Sequence, residues 1–532
     1  MHVLINWFKK PGNVVIALFL VAVMLLFSGL GSSPIYILDE ARNAQCAREM
    51  MERNDWVIPT FNGELRGHKP PLHYYFMRVA YEIFGTNAFA ARFFSAVMGL
   101  LTIFITYLFT KKFLGKGVAI WTTVVLVAST HFLFEFRLAV PDPYLIFFIT
   151  AGIFLFYNYT ENNSWISLLS SAVCIALAIL AKGPVALALP AAAIGLWLLY
   201  AKKWNIIFSW KNLAYLVVVA AVAVPWFVKV HAATKGQFTR DFFFTHNINR
   251  FSSAMEGHGG LFIIVPLFVF IGLLPLSVFL WEPLRKIRNY KNMPLVNLAL
   301  SVVLLFVLFF CLSGTKLPNY PMPCYPFAAM LLGYWINRNV TRERVIKLYP
   351  LVLLLIITVL LAAGAFIGIG FEPALAGKQW WAIAFIVLPV TAFIALLRTR
   401  RKGLTNGLTW LFAGYTLFNF LFLVVLYNAV YRQNPVALSM PYINNNQQVI
   451  AYKIYNPAFN FYLDSTVYVA DNISDLSKKI TPGKKVVIIT RQNHLEELQP
   501  LSLKVMTSHR DLFETPTTVL LQPADSTATV KH

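Results

Sequence analysis

Charge is what this 532-residue chain has least of: 13% of its residues are Asp, Glu, Lys or Arg, against 58% hydrophobic. Ordinary soluble domains carry about 25% charged residues, so a water-facing surface of normal size cannot be built from this composition. Acid is scarcer than base, with 23 Asp and Glu against 45 Lys and Arg, a net charge of +22. The basic residues fall largely in short loops between apolar runs, the habit of a membrane protein, and nucleic acid is excluded as a partner. Four cysteines, Cys46, Cys174, Cys311 and Cys324, form no metal-ligand spacing and imply no disulfide framework. Within the apolar runs, ionisable residues are almost absent. Buried charge marks ion and proton pathways in a bilayer, so its scarcity argues against an ion-coupled transporter.

What the chain does have is repeated apolar length. Thirteen runs approach or exceed what is needed to cross about 30 Å of hydrocarbon. They cover 12–32, 88–110, 118–136, 143–159, 166–181, 184–200, 213–230, 261–280, 295–312, 321–336, 348–369, 380–397 and 404–426. The first follows Lys9 and Lys10 but is longer than a signal core, and reads as an uncleaved span. Alternate loops are basic, among them Lys111, Lys112 and Lys116, and Arg398, Arg400, Arg401 and Lys402. This bias places the N-terminus inside, and an odd number of spans then places everything after residue 427 outside. The expected fold class is mainly α: a polytopic membrane protein of about 13 transmembrane helices, with amphipathic interfacial helices and a small C-terminal α/β domain. The expected division is a membrane domain over 1–430, with a first outer loop at 33–86 and a long loop at 231–260. A small α/β domain over 444–523 and a disordered tail over 524–532 complete it. In the small domain, β-type runs at 448–453, 466–469, 485–490 and 517–522 alternate with a helical 473–480.

The unusual polar residues gather in the outer loops. The stretch 38–75, LDEARNAQCAREMMERNDWVIPTFNGELRGHKPPLHYY, opens on Asp39 and Glu40 and carries Ala41, Ala44 and Met51 at helical spacing. A helix directly after a span should lie at the membrane surface. Asp39 reads either as a helix cap or as a carboxylate able to take a proton from an attacking hydroxyl. Asp142, before Pro143 at a span start, admits the same two readings. Lys69, Lys182 and Lys316 each lie one or two residues before a proline, on the same face. They can snorkel from a span end or, with helix N-termini, capture phosphate. Arg250 and Tyr320 can add donors. His68, His246 and His258 are candidate ligands for a divalent metal, on spacing alone.

In this order the motifs DEARNAQCAREM, NDWVIPTFNGELRGHKPP, AVPDP, AKGPVALALP, FFFTHNINRF, EGHGGLFIIVP and SGTKLPNY resemble the integral-membrane GT-C glycosyltransferases, the superfamily of protein mannosyltransferases and lipid A aminoarabinose transferases. The resemblance implies a sugar donor carried on a polyprenyl phosphate and inverting transfer on the periplasmic face of a bacterial inner membrane. It also implies an acceptor that is lipid A, another envelope glycan or a protein. Position by position it implies Asp39, with Arg42 one turn on, and Asp142 as the acids of the first and second loops, and Lys69, Arg250 and Tyr320 as the lysine, arginine and tyrosine of the family's motifs. The residues themselves add Glu40 to the catalytic acids, Lys316 to the donor phosphate, and Lys182 and His246, beside Arg42, to substrate. Two departures bear on a metal: Arg66-Gly67-His68 stands where an aromatic-x-Glu is usual, and His246-Asn247 where Glu-His is common. The rival class is a transporter or flippase of lipid-linked sugars; glycan polymerases and ligases share the topology but not these motifs.

Overall fold

A computed structural model of the chain describes residues 11–248, 259–285, 290, 292–342, 347–444, 446–480 and 485–524, without the side chains of 11 and 245–248. Among the described residues, eight helices are long and apolar enough to cross a membrane. A ninth crossing arises if Ile264–Gly272 and Leu276–Arg285, bent by 116°, form one span. Three shorter apolar helices accompany them. All thirteen apolar runs are helical in large part, but several fall short of a full crossing. The expected span 118–136 breaks at Ser129 into a helix over Lys116–Ala128 and a short one over Thr130–Glu135. Ser129 caps the second, accepting from the Phe132 N–H. The chain is a multi-pass membrane protein with a small sheet domain at its C-terminal end.

The elements that position the loop face come early in the chain. Helix α1 (Pro11–Phe27) is followed by α2 (Leu38–Glu52), a hairpin of β1 (Thr60–Phe61) and β2 (Glu64–Leu65), then α3 (Leu72–Phe84) and α4 (Ala88–Leu114). Asn62 and Gly63 form the hairpin turn with φ of 56° and 81°, the left-handed pair that Asn-Gly adopts at low cost. Glu49 on α2 holds this turn, accepting from Thr60 Oγ1 at 2.6 Å and from the Asn62 N–H at 2.7 Å.

α2 is more enclosed than its pattern predicts. Glu40, Ala41 and every residue from Asn43 to Met50 are buried, so polar faces are covered as well as the alanine stripe. Its orientation is fixed by Glu40, which reaches Arg92 of α4 through two hydrogen bonds of 2.7 Å. Both side chains are 1% exposed. Arg92 also donates to the Leu30 and Ser33 carbonyls, and Glu40 accepts from the Ala139 N–H at 2.9 Å. Arg137, two residues before Ala139, donates to the carbonyls of Leu25, Leu26 and Ser28 and so closes the C-terminal end of α1. Arg92 thus lies inside an apolar run that otherwise carries little charge, and its partner explains why it is tolerated there.

The C-terminal sheet has five strands: β3 (Gln448–Tyr452), β4 (Tyr468–Ala470), β5 (Val486–Arg491), β6 (Leu503–Arg510) and β7 (Thr517–Pro523). The order is β4-β3-β5-β7-β6, parallel where β3 meets β4 and β5, antiparallel elsewhere. Four of the strands and the helix Ile473–Lys479 fall where the sequence places them. The edge strand β6 was not expected, because its mostly exposed sequence lacks a continuous apolar face. This domain is docked on the first loop. Asn62 donates to the Val467 carbonyl and accepts from its N–H at 2.8 and 2.7 Å, and Arg48 of α2 pairs with Asp464. Tyr36 accepts from the Leu512 N–H, and Tyr462 from the Ile35 N–H.

Breaking a buried pair strands the remaining charge, at about 3–5 kcal/mol. Arg92→Met should therefore lower the melting temperature of the detergent-solubilised protein markedly, while Arg92→Met with Glu40→Leu recovers most of the loss. A single variant melting like the wild type would show that the pair does not hold α2.

Candidate active site

Four separate loop-face segments meet at two glycines. Gly67 lies against Asp241, so close that an added Cβ would stand 2.8 Å from the Asp241 Cβ. Gly183, at φ +97°, lies against the ring of Phe242, with 2.6 Å left for a Cβ. Asp241 and Phe242 begin the π-helical turn Asp241–Ile248 that opens the long loop. The Lys69 junction and the Lys182 junction are therefore joined through two consecutive residues. Lys182 in turn sits over the Tyr320 ring, 5.1 Å from its centroid. The first loop, the AKGP junction, the start of the long loop and the Lys-Leu-Pro-Asn-Tyr segment converge.

The acids separate into different environments. The N-cap of α2 is Ile37, so Asp39 lies inside the first turn and not at the cap position. Its side chain is 59% exposed, with a carboxylate oxygen 3.9 Å from Arg66. Glu40, one residue on, points the opposite way into the pair with Arg92. Its carboxylate is engaged by Arg92 and by the Ala139 N–H. Asp142 starts the helix Asp142–Asn162 with Pro141 at the cap position, and it is buried against Lys182 Nζ at 2.5 Å. Lys182, expected at the substrate, is thus the ion-pair partner of Asp142.

Of the other expected residues, Arg42 is half-buried one turn beyond Asp39, and Lys69 is half-buried two residues ahead of the Pro71 cap of α3. Both have partners in the structure. Lys316 donates to the Ser313 carbonyl at 2.7 Å, and its side chain lies 4.0 Å from a Cβ placed on Gly260. His68 is exposed. Arg250 and His258 lie outside the described residues, as does the side chain of His246. Among the described residues, no three His, Cys, Asp or Glu side chains gather in a metal-holding arrangement.

Several residues of the site escaped the sequence reading. Arg66 is buried, with Nε donating to the Tyr74 hydroxyl at 3.2 Å and Nη2 to Asn43 Oδ1 at 3.2 Å. It lies 3.9 Å from the Asp39 carboxylate, yet it precedes the lysine of the expected Lys-Pro-Pro motif by only three positions. Glu135 is buried near Asp142 and Lys182, with Oε1 lacking a hydrogen-bond partner. It ends an apolar run, which hid it. His73 is fully buried on α3 with both ring nitrogens unpartnered. Burial, then the charges of Lys69 and Arg66, push its pKa well below the ordinary histidine value. A neutral imidazole under two cations leaves the positive charge at this corner to Lys69 and Arg66, which is a setting for an anion.

Comparison with known proteins bears on this arrangement. Residues 16–236 match the family described as dolichyl-phosphate-mannose-protein mannosyltransferase. A curated relative from Yersinia pestis, an undecaprenyl phosphate-alpha-4-amino-4-deoxy-L-arabinose arabinosyl transferase, is 28% identical over 418 residues, 74% of this chain and 73% of its own length. An uncharacterized protein of Aquifex aeolicus is 28% identical over 365 residues, 67% of this chain and 70% of its length. Among solved structures, ArnT from Cupriavidus metallidurans bound to undecaprenyl phosphate superposes with a TM-score of 0.81 at 20% identity, over 97% of this chain and 99% of that one. Its apo form gives 0.77 at 21% identity. The fold over nearly the whole chain, sheet domain included, is that of these proteins.

The buried His73 carries a pH signature. Its folded pKa lies below the unfolded value of about 6.5, so the unfolded chain binds more protons in acid and stability falls as pH drops through that value. The melting temperature should decline between about pH 7 and 5, and His73→Leu should flatten that decline. An equal slope in the variant would place the acid sensitivity elsewhere.

Proposed function

We propose that the chain is a member of the GT-C superfamily of integral-membrane glycosyltransferases that includes protein mannosyltransferases and aminoarabinose transferases, and that it moves an aminoarabinose-like sugar or a hexose from a polyprenyl phosphate to lipid A, another envelope glycan or a protein; the family match over residues 16–236, the 28% identical relatives and the shared fold support this reading. It is a polyprenyl-phosphate-sugar glycosyltransferase. The observation that carries the finer reading is the convergence just described: one exposed carboxylate, Asp39, faces a cationic corner made by Lys69 and Arg66. Beside it, between the helices, lies an apolar cavity of about 770 Å3 whose lining includes Phe268, Pro318, Tyr427 and Phe513. Pro318 is two residues from both Lys316 and Tyr320, so the cavity reaches the Lys-Leu-Pro-Asn-Tyr segment. An apolar wall of this size supports a prenyl chain with its phosphate at the loop face.

In the reaction we propose, an acceptor hydroxyl attacks the anomeric carbon from the side opposite the phosphate. The new carbon–oxygen bond forms as the bond to the phosphate oxygen breaks, and the configuration inverts. Asp39 accepts the hydroxyl proton. The polyprenyl phosphate leaves with the bonding pair, and Lys69 with Tyr320 and Arg250 stabilises its charge, with Lys316 at the edge of the group. Fixed donors aimed at a developing anion in a water-poor site are worth far more than in bulk water. The Asp142–Lys182 pair, with Glu135 behind it, orients the sugar. The proposed setting is a bacterial inner membrane, N-terminus inside, with the loop face and the sheet domain in the periplasm.

Purified protein in detergent, supplied with undecaprenyl-phosphate aminoarabinose and lipid A, should give a product heavier by one sugar in the mass spectrum. A flippase, with no membrane to cross, would leave both lipids unchanged. Lys69→Ala should lower turnover by roughly 10²–10³-fold in a folded preparation; near-normal turnover would remove Lys69 from the phosphate site.

A further inference from the structure

The helix Lys211–Ala233 starts close after Lys202 and Lys203, in one of the basic loops. By the usual charge bias its far end should be poor in base. It is not: residues 229–244 carry Lys229, Lys235 and Arg240 against one acid, Asp241. Asp241 lies against Gly67 of the first loop, so this basic cluster belongs to the loop face.

A groove of about 820 Å3 opens there, lined by His231, Gly236, Thr239, Arg240, Phe243 and Phe244. A tight reversal shapes it, with Lys235 and Gly236 at φ of 50° and 83°. Gly236 packs on the His231 ring, where an added Cβ would stand 3.2 Å from Cε1. Thr239 Oγ1 donates its one proton to the Gly236 carbonyl at 2.9 Å, so it accepts from His231 Nδ1 at 2.7 Å. With its proton on Nδ1, the ring presents Nε2 as an acceptor. Arg240 is exposed, and among the described residues its guanidinium has no hydrogen bond or ion pair. Phe244, four residues on, is 61% exposed.

Three chemistries therefore meet at one span end. A free guanidinium forks onto phosphate oxygens. An acceptor nitrogen takes a hydrogen bond from a hydroxyl. Two phenyl rings suit the boundary between headgroups and acyl chains. We propose that this groove holds the headgroup of an anionic phospholipid that carries a free hydroxyl, such as phosphatidylglycerol. Arg240 takes the phosphodiester, His231 Nε2 accepts from the hydroxyl, and Phe243 and Phe244 lie against the first acyl carbons. Neither Lys69 nor Arg66 lines the groove, so the lipid does not compete for the donor corner. Its effect is to fasten the root of the long loop, where Asp241 and Phe242 seat on Gly67 and Gly183, to the bilayer. The inference goes beyond the glycosyltransferase reading and does not need it.

The test uses the full-length protein in detergent, with bound lipid counted by native mass spectrometry. It is titrated with phosphatidylglycerol, with phosphatidylmethanol (the same charge, no hydroxyl), with phosphatidylcholine and with inorganic phosphate. The wild type should retain one phosphatidylglycerol about tenfold more tightly than phosphatidylcholine, and more tightly than phosphatidylmethanol. Arg240→Gln should erase the preference for both anionic lipids, at an unchanged melting temperature because the side chain is exposed and unbonded. His231→Phe should erase only the preference for phosphatidylglycerol over phosphatidylmethanol. Lys229→Gln, about 200° round the same helix from His231, should change nothing. Equal retention of all three lipids by the wild type, or equal loss in Lys229→Gln, shows a general basic rim and overturns the proposal. Displacement of the lipid by inorganic phosphate makes this a free-phosphate site, and displacement by undecaprenyl phosphate makes it a donor site; either overturns the phospholipid assignment.

Discussion

The loop face depends on one buried ion pair. Glu40 and Arg92 exchange two hydrogen bonds of 2.7 Å at 1% exposure, and the remaining Arg92 donors go to the carbonyls that end the first span's connection. Such a pair adds little net stability over a well-packed apolar substitute, but it is costly to break, so it selects one geometry. Here the geometry selected is the rotation of α2. With Glu40 turned inward, Asp39, about 100° round the helix, is the exposed neighbour, while Ala41 on the other side is buried. The same rotation puts Arg42 and Leu38 against the C-terminal domain and Asn43 against Ala139 and Arg66.

Everything proposed for function follows from that division between neighbouring acids. The inward acid ties the first loop to α4 and, through the Ala139 N–H, to the segment that leads to Asp142. The outward acid is left beside a cationic corner. Two tight glycine contacts, Gly67 on Asp241 and Gly183 on Phe242, then hold the start of the long loop against the first loop and the Lys182 junction. Side chains at either glycine would push these segments apart, so the closeness of the lysine junctions is a backbone property as much as an electrostatic one.

The fold was largely legible because its signals are long and periodic. Apolar length announced each membrane helix, and four short β-type runs announced most of the sheet. Pairing was not legible. Nothing local to Glu40 reveals a partner 52 positions away, so Asp39 and Glu40 read as equivalent acids. The contact of Lys182 with Asp142 is equally invisible in the sequence, since the two lie 40 positions apart. Asn62-Gly63 is a strong hairpin signal that sat unread inside a loop judged by its charges. Arg491, Gln492 and Asn493 had no motif at all; only the docking of the sheet domain brings them beside Leu38 and Arg42 of α2.

The central claim is that α2 carries two acids with opposite duties, and isosteric amides separate them. An amide at position 39 keeps the size and polarity of the side chain but has no useful basicity at neutral pH. The decisive measurement is sugar transfer rate and melting temperature for Asp39→Asn and Glu40→Gln, made side by side in one detergent. Asp39→Asn should melt like the wild type and lose roughly two to four orders of magnitude in rate, while Glu40→Gln should melt lower. An Asp39→Asn protein that is both stable and fully active would contradict the account.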